Sequence, residues 1–207
     1  LPLGGTSFET NTASGVISGA GGITSAGNGV WELTGANTYT GATTVDGGTL
    51  RAGSAGAFGG STSFVVNAGT LDLNDFDLTM SSLSGMGGTV ALGTGDLTVD
   101  IATGQTRSYG GSITGSGSFT KLGDGTLTLT GANDYSGDTN IGGGTLALDF
   151  AADGAPIDDI ISSSSTLNMS GGTVQLIGAE DQANSQTFDG LNITAGSNRI
   201  TAAAGAE

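Results

Sequence analysis

Polar and apolar residues alternate in Gly125-Thr126-Leu127-Thr128-Leu129-Thr130, and short runs of the same kind return along the whole chain. A period of two is that of a β-strand, with Leu127 and Leu129 turned to one face and the threonines to the other. Each run is brief and is bounded by glycine. The strand start Gly-Thr-(Leu or Val) recurs with its Thr at 49, 70, 89, 126, 145 and 173. The steps of 21, 19, 37, 19 and 28 read as one or two times about 19, the last lengthened by an insertion. A period near 20 is one coil of a solenoid, two or three short strands joined by turns. Stacked coils would set Leu127 on Leu146 and Leu129 on Leu148 about 4.8 Å apart, and about ten coils would make a rod of about 45 to 50 Å.

A longer repeat contains the short one. Residues 15–50 laid over 111–146, an offset of 96 without gaps, give 19 identities in 36, where biased composition alone would give roughly one in ten. The expected organisation is one continuous solenoid over 1–207, with internal modules at about 15–110 and 111–207. A β-sandwich would not need a period, and a propeller blade would need about 40 residues, so the short step favours the solenoid. Residues 149–165, with Pro156 and a serine run, are expected to form a longer surface loop with a short Ile160-Ile161 strand.

Composition sharpens this picture. The 41 Gly lack the three-residue period of collagen, and the branched apolar residues between them argue against disorder. Frequent tight turns remain, because Gly adopts positive φ without steric cost. The net charge is −15, and Arg51, Arg107, Lys121 and Arg199 are scattered. Nucleic acid and anionic membrane are therefore not expected partners, since phosphate binding needs clustered cations. No Cys is present, so stability must come from burial and backbone pairing. No apolar run approaches the roughly 20 residues of a membrane helix. The start at Leu1 and the last residues, 200–207, suggest an excerpt from a longer protein.

Catalysis finds little support. There is no His to serve as general base. A lyase-type site would need clustered Arg, Lys and Asp, and no carboxylate pair stands out for glycoside hydrolysis. The chain is read as a non-enzyme without cofactor. The densest oxygen-bearing run, Asp72, Asn74, Asp75 and Asp77, is a weak Ca²⁺ candidate, but it lacks the glycine pattern of known calcium loops and reads better as a solvated turn. Tyr39 and Tyr135 hold equivalent repeat positions and are expected to pack at coil corners, hydroxyls reaching water or backbone. Asn37 and Asn133 are expected to take a left-handed turn or to bond the local backbone.

The signature Gly-x-Leu-x-Leu-Thr-Gly-Ala-Asn-x-Tyr-x-Gly-x-Thr-x-(Val or Ile)-x-Gly-Gly-Thr-Leu runs nearly whole from Gly125 to Leu146. It resembles the passenger-associated transport repeat, also called the autotransporter-associated β-strand repeat. The structural positions are Leu127, Leu129, Gly131, Asn133, Tyr135, Gly137, Gly144 and Leu146, and in the first copy Leu33, Gly35, Asn37, Tyr39, Gly41, Gly48 and Leu50. The first copy departs at Trp31, an apolar swap. The resemblance implies an all-β right-handed parallel β-helix with coils of about 19–21 residues, exported across the outer membrane by type V secretion and displayed at the cell surface or released. No barrel sequence is included, so the chain would be passenger alone, a stalk or adhesive scaffold that aids its own export and folding. A host cell or matrix surface is the expected partner. A self-assembling extracellular filament built by end-to-end stacking is the alternative, and a polysaccharide-acting enzyme a minor one.

Overall fold

The computed structural model describes residues 1–6, 8–60 and 62–204; the last three positions of the second module, 205–207, lie outside the described residues. Among the described residues every regular element is a β-strand and every ladder is parallel. The strands are short, three or four residues in most cases, because one strand spans one side of a three-sided coil.

The coil winds repeatedly over three faces. Face one is built by Pro2–Leu3, Ile23–Ser25, Thr43–Val45, Ser63–Val66 and Ser82–Ser84, and continues through Thr106–Tyr109, Thr126–Leu129, Thr145–Asp149, Gly172–Gly178 and Asn198–Ala204. A parallel bridge from Gly85 to Tyr109 joins the two runs, and Gly110 N donates to Gly85 O at 2.9 Å. Face two stacks Thr10–Ala13, Val30–Leu33, Thr49–Ala52, Thr70–Asp72, Thr89–Ala91 and Ser112–Thr114. Face three stacks Leu78–Met80, Leu97–Asp100, Phe119–Leu122, Thr139–Ile141, Thr166–Met169 and Gly190–Ile193. Together they make a β-solenoid of about nine turns.

Alternation sets the core. Leu127 pairs with Leu146 and Leu129 with Leu148 in register, all four fully buried. Leu50, Leu71, Val90 and Ile113 form the matching column on face two. On face three the two inward columns are Leu78-Leu97-Phe119-Thr139-Leu167 and Met80-Val99-Lys121-Ile141-Met169. The core is a set of mostly aliphatic columns, interrupted on face three by Thr139 and Lys121, with each side chain stacked on its equivalent one coil away.

The spacing of 37 between Thr89 and Thr126 has a different origin from that read in the sequence. Thr89 stacks on Ser112, while Thr126 stacks on Thr106 and Thr145 on another face. The strand-start motif therefore changes face between the two repeat copies instead of spanning two turns. Copy one puts its strands on faces one and two; copy two puts the equivalent strands on faces three and one. The 96-residue offset is four full turns plus two faces.

In the expected loop, the strand from Thr145 runs to Asp149, turns follow, and Ile160 and Ile161 return fully buried. Ile161 makes an isolated bridge to Asn133 in place of a strand.

Candidate functional site

The signature's Gly-Ala-Asn-x-Tyr-x-Gly segment forms an arch, the coil side without a regular strand. In copy one, 35–41 arches over face three beside Ile17 and Gly19. In copy two, 131–137 arches over face two beside Ile113 and Gly115. Lacking a continuous ladder, an arch needs side chains to satisfy backbone groups.

Asn133 supplies several such bonds. Its Oδ1 accepts from Ile113 N at 2.9 Å, and its Nδ2 donates to Ile160 O at 2.9 Å and to Gly131 O at 2.8 Å. Asn37 repeats the pattern, accepting from Ile17 N at 2.8 Å and donating to Ala57 O at 2.6 Å. Neither residue has positive φ. The expected left-handed turn is thus corrected. Both amides reach across to the coils before and after, although Asn133 also bonds its own turn at Gly131.

Tyr39 and Tyr135 are fully inside, at 1% and 0% exposure, so they offer no stacking platform to a sugar. The expectation that their hydroxyls reach water or backbone is also corrected. Tyr39 Oη pairs with Thr43 Oγ1 at 2.7 Å, and Tyr135 Oη with Thr139 Oγ1 at 2.7 Å. Thr139 passes the chain to Ser165 Oγ at 2.8 Å, which donates to Gly137 O at 2.8 Å. Burial raises the Tyr135 hydroxyl well above its usual range. The Tyr-x-Gly-x-Thr spacing of the signature is the spacing of this buried pair. Phe119 lies against the Tyr135 ring, centroids 5.9 Å apart.

Gly48 and Gly144 sit at corners with φ of 60° and 62°. A Cβ at Gly48 would run into the carbonyl oxygens of Gly27 and Gly29, and one at Gly144 into those of Gly123 and Gly125. Gly35, Gly41, Gly131 and Gly137 are equally crowded by backbone of the preceding coil. Leu33, Leu50, Leu127, Leu129 and Leu146 fill the columns.

Sequence reasoning missed Lys121, which is buried in an aliphatic column. Its Nζ donates to Leu122 O at 2.6 Å, Gly123 O at 2.9 Å and Gly143 O at 3.4 Å. Burial pushes the ammonium down to about 8 against the pull of Asp100 and Asp124. The repeat alignment held a signal, because Ser25 in copy one donates to the equivalent carbonyl of Gly47 at 3.2 Å.

The acidic run does not converge. Asp72 pairs with Arg51 at 2.7 Å. Asn74 donates to Ala52 O at 3.0 Å. Asp75 accepts from Thr94 N at 2.8 Å and Asp77 from Asp96 N at 2.9 Å. Each side chain ties down a neighbouring coil or turn. Among the described residues no three acidic side chains form a metal-holding group.

A stack of coils with inward aliphatic columns and buried signature residues defines a β-solenoid. A family model described as passenger-associated-transport-repeat matches residues 23–52 and 119–148, so the chain carries two copies of that repeat. Over 206 residues, 99% of the chain, it is 50% identical to a protein named adhesin BmaC autotransporter from Brucella suis biovar 1 (strain 1330). The chain spans 6% of that relative's length. No solved structure matches.

Proposed function

We propose that this chain is a scaffold segment of an exported, surface-displayed passenger, one continuous rod over 1–207 in two modules that carries adhesive surfaces outward. The observation behind this reading is that the signature residues face inward or bond other coils. Asn37, Tyr39, Asn133 and Tyr135 are all buried, and the two arches lie over different faces. They therefore cannot form a row of equivalent contacts for a receptor. The repeat serves coil stacking, and any host-cell or matrix contact falls to the outward side chains. The relative's name speaks for an adhesin. The outer surface is acidic and rich in Thr, Asn and Ser, so a partner would be polar or cationic in chemistry.

The reading is tested by displaying the segment on a Gram-negative cell through an outer-membrane barrel and measuring attachment to matrix proteins and glycans. Attachment that survives Tyr135→Phe and is reduced by changing outward residues supports it. Attachment lost with Tyr135→Phe while the rod stays folded overturns it. We read the chain as a non-enzyme, and turnover of acidic polysaccharides, with or without Ca²⁺, would contradict that.

A further inference from the structure

Alternation alone does not specify how these coils stack. A slip of one residue would turn every Leu outward, but a slip of two keeps an aliphatic column such as that of face one apolar. Thr126-Leu127-Thr128-Leu129 facing Thr145-Leu146-Ala147-Leu148 is such a case, because Leu129 on Leu146 buries as well as Leu129 on Leu148. Coil length gives no help either. Stacked partners are 19 residues apart at Thr126 and Thr145, 21 at Thr49 and Thr70, and 28 at Thr145 and Thr173.

We infer that Asn133, and Asn37 in the first copy, is a register clamp that selects one stacking among those the aliphatic columns permit. The geometry supports this in three respects. Each amide bonds two coils besides its own, through Ile113 N and Ile160 O for Asn133 and through Ile17 N and Ala57 O for Asn37. Amide donors and acceptors are directional and sit at single positions, so a two-residue slip breaks the bonds and strands buried polar groups. The upstream partner is 20 residues away in both copies, whereas the downstream partner is 20 away for Asn37 and 27 for Asn133. That difference is the insertion between Asp149 and Ile160. The clamp takes hold at the first buried residue after the variable turns, Ile160, where its backbone also closes through Asn133 N to Ile160 O and Ser162 N to Asn133 O, both 2.8 Å. Length variation in one coil is thereby cancelled before the next strand on face three begins. The repeat works as a periodic checkpoint that lets intervening turns change length without scrambling the rod.

The inference deepens the scaffold reading and rests on it. Its test uses the purified 207-residue chain without display or binding, so the two can fail separately. The chain has no Cys, and paired cysteines report register through disulfide formation. Thr145 and Thr173 are in-register neighbours on face one, so T145C/T173C should oxidise readily. T145C/Q175C reports a slip of two, since diagonal partners at about 7 to 8 Å are too far apart to bridge. With Asn133 intact the slipped pair should stay reduced. Asn133→Leu should raise the ratio of slipped to native cross-link by about tenfold. Asn133→Asp keeps the acceptor for Ile113 N but loses the donor for Ile160 O. It should show the same downstream slip while T106C/T126C, upstream of the clamp, still forms. The proposal is overturned if a variant that keeps its β-sheet circular dichroism shows no more slipped cross-link than the parent. Loss of β-structure in both variants would assign the side chain to stability alone and would overturn it equally.

Discussion

Lys121 holds an inward column position between Val99 and Ile141, and its cost depends on pH. The folded chain releases the proton at about 8, while the ordinary lysine value is 10.5. Below pH 8 both states carry the proton and stability is flat. Between about pH 8 and 10 the unfolded chain holds more protons, so stability rises with pH. Chemical denaturation should show a gain of about 2 kcal/mol from pH 7 to pH 9.5, absent in Lys121→Met. Above the ordinary tyrosine value of 10.0 the buried Tyr109 and Tyr135 reverse the trend, because burial holds their protons on in the folded state. Tyr135→Phe should cost about 1 to 2 kcal/mol in urea unfolding, since Thr139 loses one hydroxyl partner but keeps Ser165. No loss would mean that the pair contributes only packing. At this scale the sequence told which residues recur but not what they bond. Asn133 and Tyr135 are visible as repeats; the partners Ile113 and Ile160 lie on other coils, and pairing over such distances has no local trace.

At the scale of elements, legibility followed the alternation. Thr126–Leu129 and Thr145–Asp149 were readable because each alternates, with leucines turned inward and the other set turned away from the columns, although Ala147 of that second set is also covered. The arches were not, since a side held by amide and hydroxyl bonds needs no period of two. Ile160 and Ile161 were read as a strand for their branched side chains, yet Ile161 makes a lone bridge because Asn133 bonds that stretch through its side chain. The corners yield a paired prediction. Gly48→Ala forces a side chain into a left-handed site facing two carbonyls and should cost more than about 2 kcal/mol. Gly21→Ala meets nothing within 4 Å and has no positive φ, so it should change stability by less than about 0.5 kcal/mol. Thermal or urea melts of the two variants separate these effects; equal losses would contradict the corner geometry.

For the molecule as a whole, the solenoid class was legible from period and composition, but the path of the coil was not. A 96-residue repeat suggests modules that superpose along the rod. With three faces to each turn, the same motif can return on another face at no cost to the columns, and here it does. Copy two therefore presents its arch in a different direction from copy one, which is why we assign the signature to the inside of the rod. The most direct measurement of this path is disulfide formation from Thr89. Thr89 and Ser112 are in-register neighbours with hydroxyls 3.2 Å apart, whereas Thr126 lies on face one. T89C/S112C should oxidise quantitatively in the folded chain and T89C/T126C should not. Efficient cross-linking of T89C/T126C, with none for T89C/S112C, would contradict the three-faced coil and the face change between the copies.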